Sequence, residues 1–295
     1  MTASAAPTPA PSAPVVAGVV GGGTMGAGIA HILLAGGSAV TVAEADEARA
    51  ASAREAVAAS VRKAEERGKL ADGTTADELL ARLTTVDSLA ALPADAELVI
   101  EAVPEDFGLK RRVLGEVAAA CPDAVLATNT SSLPVTGLAE DLDGRVIGMH
   151  FFNPVPVQRL VELITPDGID PELVERTRTW AEALGKTVIV ARDLPGFATS
   201  RLGVVVGLEA IRMLEDGVAS AEDIDTGMWL GYGWPMGPLR LGDLVGLDVR
   251  LHIAEHLARE LGPRFEPPQL LRDKVARGEL GRKTGKGFFD WTDTA

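Results

Sequence analysis

His150 is the residue best placed for proton chemistry. It directly follows the apolar run Val146–Met149 and precedes Phe151-Phe152-Asn153-Pro154. An imidazole with an ordinary pKa of about 6.5 both takes and returns a proton near neutral pH. Twelve residues on, Glu162 stands in the mostly apolar stretch Leu160-Val161-Glu162-Leu163. A carboxylate bonded to one ring nitrogen fixes the tautomer and raises the basicity of the other. The same pattern describes a histidine merely satisfied near a strand end, and spacing alone leaves both readings open. Thr128-Asn129-Thr130-Ser131-Ser132 closes another apolar run. Its hydroxyls and amide could bind a substrate hydroxyl or polarise a carbonyl, but unaided the segment reads more readily as turn and capping chemistry. His252-Ile253-Ala254-Glu255-His256 matches the H-x-x-E-H spacing of some zinc proteases. A third ligand would have to come from elsewhere, so it reads as exposed helix surface and no metal is expected. His31 reads as structural.

A second constellation is Gly21-Gly22-Gly23-Thr24-Met25-Gly26, which fits G-x-G-x-x-G. Gly21 allows the tight turn, Gly23 lets backbone approach a pyrophosphate, and Gly26 lets helix and strand pack closely. With Thr24 and Met25 opening a helix, the unpaired amides and partial positive charge of its first turn face the phosphates. Glu44 ends the next apolar run, near the expected spacing of ~20 residues, where a carboxylate can accept both ribose hydroxyls. It would repel a 2′-phosphate, which selects NAD over NADP. Arg49 is poorly placed to reverse that choice.

The elements that must carry these residues follow from periodicity. Val15–Val20, Val40–Ala43, Leu98–Val103, Ala124–Thr128, Val146–Met149 and Thr187–Ala191 are short runs without alternation, as in strands covered on both faces. The stretch through Ile29, Ile32 and Leu33 reads as a helix ended by Gly36 and Gly37, and 46–67 as a long polar surface helix closed by Gly68. Strands separated by helices imply βαβ units. After Pro195 the strands stop, and Leu202–Glu215, Ala221–Leu230, Leu241–Leu261 and Leu270–Arg277 read as helices. The expected fold is therefore α/β, with a Rossmann-type NAD-binding domain over 15–193 and a helical C-terminal domain over 194–295. The Ala/Pro/Ser/Thr-rich residues 1–14 read as a disordered tail.

The chain has 295 residues, 46% hydrophobic, with 28 basic against 42 acidic residues and a net charge of −14. That balance argues against nucleic acid or an anionic membrane as partner. No apolar run reaches the ~18 residues of a membrane span. The single cysteine, Cys121, cannot form an internal disulfide, so a reducing cytoplasm is expected.

In combination these motifs resemble the 3-hydroxyacyl-CoA dehydrogenase family. The resemblance runs from about Val15 to Trp291 and rests on residues 21–30, Val99-Ile100-Glu101-Ala102-Val103-Pro104-Glu105-Asp106, residues 128–132, residues 149–156, Pro235-Met236-Gly237-Pro238 and residues 281–288. It implies a helical pair inserted after the second strand, a helical domain that dimerises, and NAD-linked oxidation of an L-3-hydroxyacyl thioester. It implies His150 as base, Glu162 as its partner, and Ser131 against the substrate hydroxyl and nicotinamide. Glu105, Lys110, Asn153 and Lys283 match family contacts to NAD, while Ser60 and Arg67 match contacts to the CoA moiety.

One departure stands out. Where the family has Asn before Arg-Leu, this chain has Ser200 in Thr199-Ser200-Arg201-Leu202. Ser200 is expected to serve the reacting group, but it is shorter and lacks the amide donor. A different acyl group, an acyl-carrier-protein-bound substrate such as a glyceryl thioester of polyketide extender-unit formation, a free sugar acid, or a non-catalytic NAD-binding role are the rival readings. The apolar positions Val204, Val205, Leu208 and Ile211 could serve a dimer or an internal core.

Overall fold

The computed structural model describes residues 12–292. Most of the expected tail lies outside that range. Pro14, its last residue, is buried, and its carbonyl accepts the Ser38 hydroxyl at 2.6 Å. The chain divides between Asp193 and Leu194 into two compact units.

In the first unit the elements run β1 (Val16–Val20), α1 (Thr24–Ala35), β2 (Ala39–Ala43), α2 (Glu47–Glu66), α3 (Ala76–Leu80), β3 (Leu83–Val86), β4 (Leu98–Glu101), α4 (Phe107–Ala120), β5 (Val125–Thr128), α5 (Val135–Leu138), β6 (Val146–Phe151), β7 (Leu160–Thr165), α6 (Pro171–Ala183) and β8 (Thr187–Arg192). They form one eight-stranded sheet in the order β3-β2-β1-β4-β5-β6-β7-β8. The first six positions are the Rossmann-type order expected, with a switch point between β1 and β4. Strands β4, β5 and β6 are buried along their whole length, which is why they read as unbroken apolar runs.

Two strands escaped the sequence reading. β3 is an edge strand whose residues are Leu-Thr-Thr-Val, and the two threonines leave no apolar run. β7 was read only as an apolar setting for Glu162. It pairs antiparallel with β6, whereas every other neighbouring pair is parallel. The eight residues between Phe151 and Leu160 are too few for the crossover a parallel return needs, so the chain turns straight back. His150 also sits within β6 rather than beyond it.

α2 is capped by Asp46, whose side chain accepts the Arg49 amide, and it buries Ala50, Ala53, Val57 and Val61 at helical spacing. Its expected companion is the five-residue α3, so the inserted pair is unequal. The thiol of Cys121 is buried and donates to the Pro93 carbonyl.

The second unit holds α7 (Thr199–Glu215), α8 (Ala221–Thr226), α9 (Pro238–Val245), α10 (Leu247–Leu261) and α11 (Gln269–Ala276). Its core joins Val204, Leu208, Ile211, Leu247, Leu257 and Phe265. The single helix expected over Leu241–Leu261 is two helices, because Gly246 adopts φ +106° between them. Likewise α8 ends at Thr226 and passes into a π-helical turn over Gly227–Gly231. Asp243, buried on α9, accepts the Phe288 and Phe289 amides and the Trp291 indole N–H, each at 2.9 Å. No helix among the described residues is long and apolar enough to cross a membrane.

The β6–β7 pairing depends on a missing side chain. A Cβ at Gly148 would stand 2.6 Å from the Ile164 Cβ across the ladder. Gly148→Ala should therefore cost about 1–3 kcal/mol of stability, read as a lower urea midpoint with an unchanged slope.

Candidate active site

The antiparallel register sets His150 directly opposite Glu162. Directly paired residues project on the same face of a sheet. The result is a buried pair in which His150 Nδ1 lies 3.0 Å from Glu162 Oε2, with Glu162 fully buried. An ionised Glu162 accepts the Nδ1–H, so the neutral imidazole carries its lone pair on Nε2. The Phe152 ring packs against the imidazole with centroids 4.5 Å apart.

Beside this pair, at the carboxyl ends of β4 and β5, is a network of charges. Glu101 ends β4 in the run Leu-Val-Ile-Glu and is 1% exposed. It receives Lys110 Nζ at 2.7 Å, Thr128 Oγ1 at 2.7 Å and the Val103 amide at 2.6 Å. Lys110 is equally buried; it also donates to the Val103 carbonyl at 3.0 Å and lies 3.4 Å from Glu105. Glu105 in turn gathers the loop after β5. One of its oxygens accepts Thr130 Oγ1 at 2.7 Å, the Ser131 amide at 2.9 Å and Ser131 Oγ at 3.2 Å. Burial works to raise the Glu105 carboxyl. The Lys110 ammonium and the bonds from Thr130 and Ser131 outweigh it and hold the group below the ordinary carboxylate range. Asn129 Oδ1 accepts the Phe151 amide at 2.9 Å, tying this loop to β6. Glu101 carried no assigned role in the sequence reading, and Thr128, Asn129 and Thr130 were read there chiefly as turn and capping chemistry. The signal was present: a carboxylate inside an apolar strand requires partners.

The glycine-rich turn lies at the carboxyl end of β1. Gly21 has φ +90°, and a Cβ at Gly26 would stand 1.7 Å from the Gly21 carbonyl oxygen. α1 starts with no side-chain cap and no acidic residue in its first turn. Gly23 and Thr24 are exposed there, and a Cβ at Gly23 meets nothing within 4 Å. This uncapped, open cradle fits a dinucleotide's pyrophosphate. Glu44, half-buried at the end of β2, accepts the Gly22 amide at 2.6 Å and so stands over the same turn.

Ser60 on α2 is hydrogen-bonded to His31 Nδ1 at 2.8 Å, and Arg67 is exposed at the end of the same helix. Asn153 is exposed in the loop after β6. Ser200 and Lys283 belong to the second unit: Ser200 lies in the first turn of α7, and Lys283 is paired with Asp248 at 2.6 Å. Glu255 of the H-x-x-E-H segment is paired with Arg272. Among the described residues no group of three His, Cys, Asp or Glu side chains is placed to hold a metal ion.

Residues 16–194 match the NAD binding domain of 3-hydroxyacyl-CoA dehydrogenase, and residues 196–291 match its C-terminal domain. The chain belongs to the 3-hydroxyacyl-CoA dehydrogenase family. Members are NAD-dependent oxidoreductases. The chain is 43% identical over 280 residues to a 3-hydroxybutyryl-CoA dehydrogenase of Mycobacterium tuberculosis, covering 93% of this chain and 97% of the relative. It is 37% identical to the mitochondrial hydroxyacyl-coenzyme A dehydrogenase of Rattus norvegicus, with 92% and 90% covered. The crystal structure of an (S)-3-hydroxybutyryl-CoA dehydrogenase from Ralstonia eutropha superposes with a TM-score of 0.89 at 36% identity, with 95% of this chain and 100% of that one covered.

Two outcomes test the site. Gly23→Ala should leave Tm nearly unchanged, since the new methyl meets no protein atom within 4 Å. It should weaken NAD binding at least about tenfold, because that methyl stands where the pyrophosphate meets backbone; fluorescence titration measures this. Glu105→Gln should cost about 1–3 kcal/mol at neutral pH. Because the folded carboxyl is held low, its contribution is present above the ordinary carboxylate value and lost as pH falls through the lowered one. The Tm gap to wild type should close on acidification over that window.

Proposed function

We propose that this enzyme oxidises an L-3-hydroxyacyl thioester of CoA to the 3-oxo thioester, and reverses the reaction, with 3-hydroxybutyryl-CoA or a near relative as substrate. The observation that carries this is the buried His150–Glu162 pair at 3.0 Å. A protein that only binds NAD has no use for it.

In this reading the substrate's C3 hydroxyl gives its proton to His150 Nε2, and Glu162 stabilises the imidazolium as it forms. Ser131, its amide and hydroxyl on Glu105, holds the same hydroxyl in line. Bound NAD supplies the hydride acceptor at its nicotinamide ring. Asn153, Lys283 and the Glu105–Lys110 pair act toward that cofactor, Lys110 through Glu105 because its own ammonium is buried. Ser200 serves the thioester end with a hydroxyl in place of an amide.

A cavity of about 430 Å³ in the first unit favours the CoA handle. His31, Lys69, Gln158, Arg159 and Lys186 line it, and no carboxylate does among the described residues. In a chain of net charge −14, such a lining suits phosphate. Lys186 is buried, donates to the Val155 and Gln158 carbonyls, and is pushed below the ordinary lysine value by that burial. Ser60 reaches the cavity through His31, and Arg67 lies two residues before Lys69. A homodimer is the assembly the resemblance implies, and the single cysteine suits a reducing cytoplasm. Large exposed apolar side chains on the helical unit, Trp229 and Leu230, support association.

NADH formation should be fast with (S)-3-hydroxybutyryl-CoA and slow with the free hydroxy acid or a carrier-protein thioester; a preference for either of the latter would overturn the CoA assignment. His150→Ala should lower kcat by about a hundred- to ten-thousandfold with NAD affinity retained. Glu162→Gln should lower kcat less. Unchanged turnover in the His150 variant would remove the mechanism.

A further inference from the structure

We propose that Arg250 is a binding determinant for substrates whose acyl chain ends in a carboxylate. The inference rests on the assignment of Ser200 to the thioester substrate.

Ser200, Gly203 and Gly207 are spaced at i, i+3 and i+7 along α7 and share one face. The two glycines leave that face without side chains. A Cβ at Gly203 would meet only Arg250 Nη1, at 3.5 Å, and one at Gly207 would meet only the same atom, at 3.9 Å. The guanidinium of Arg250, from α10, thus lies over the bare strip that begins at Ser200.

That guanidinium is half-buried and forms no ion pair among the described residues. Its Nε is sealed from solvent and unbonded among the described residues. Burial, with nothing opposing it, pushes the group down to about 10. In the same unit Arg272 is paired with Glu255 and Glu266, and Arg212 with Glu209. A desolvated cation is costly unless an anion meets it, so the structure points to an anion brought from outside. The level of Arg250, between Gly203 and Gly207, is about 7–8 Å from Ser200 along the helix axis. A carboxylate reaches it from a carbon at Ser200 across about four to six C–C bonds. The ligand class is therefore an ω-carboxyacyl thioester of medium length.

The experiment compares kcat/KM for 3-hydroxyadipyl- and 3-hydroxysuberyl-CoA with that for 3-hydroxyhexanoyl- and 3-hydroxyoctanoyl-CoA. Wild type should favour the carboxylate-ended member of at least one pair by about tenfold or more, mostly through KM. Arg250→Met should bring that ratio near unity, and Arg250→Lys should retain part of it. Wild-type indifference to the carboxylate overturns the proposal without need of any variant. So does a preference that survives in Arg250→Met. A change in sedimentation of Arg250→Met alongside wild-type indifference overturns it too, and assigns the charge to a second copy of the chain. Failure to oxidise any of the four thioesters, or 3-hydroxybutyryl-CoA, removes the parent reading and this one together. Activity on 3-hydroxybutyryl-CoA without carboxylate preference removes this one alone.

Discussion

The chemistry hangs on a single reversal of strand direction. Between β6 and β7 the chain turns back after eight residues, and the ladder that results fixes His150 opposite Glu162. A shift of one residue in that register would send one partner to the opposite face. The pair is thus held by backbone hydrogen bonds on both strands rather than by side-chain packing. A carboxylate with no solvent exposure is tolerable only because its partner is placed without conformational freedom; lost entropy has already been met by the sheet.

The same economy governs the acidic network at the ends of β4 and β5. Two carboxylates, Glu101 and Glu105, share the Lys110 ammonium. Their remaining oxygens collect hydroxyls and amides from Thr128 to Ser132. The loop carrying Ser131 is therefore positioned by charge-assisted bonds instead of by a hydrophobic anchor. Such bonds are shorter and stronger than neutral ones. They also order a segment whose Ser/Thr/Asn composition would otherwise sample several turns.

Much of this was legible in the residues. Buried parallel strands announce themselves as unbroken apolar runs, so β1, β2, β4, β5 and β6 were visible, as was the glycine turn with Glu44; β8 also leaves an apolar run in 188–191, although it is an edge strand with no fully buried residue. The edge strand β3 was not, because its residues are Leu-Thr-Thr-Val and the two threonines leave no apolar run. β7 was hidden for a different reason. Its content was seen, but its direction is set by the length of a connection, and that meaning appears only once the sheet exists. In the helical unit, Gly246 sits in a pattern that continues through it; periodicity reports a shared buried face, not an unbroken axis. The network around Glu101 was hidden because the apolar run reads as Leu98–Val103 and carries on past the acid, whereas the strand itself ends there. Ser200 and Arg250 show the opposite case. The first was flagged by departure from a motif, while the second became informative only when three dimensions showed that no acid among the described residues pairs with it.

Asp243 carries a consequence for how the helical unit tolerates change at its far end. Its buried carboxylate takes two amides and an indole from Phe288, Phe289 and Trp291, and Lys274 donates to the Gly287 carbonyl close by. These residues act as an internal strut. A chain cut before Gly287 would strand a negative charge in an apolar core, so the unit has no dispensable stretch there for a proteolytic nick or an inserted epitope.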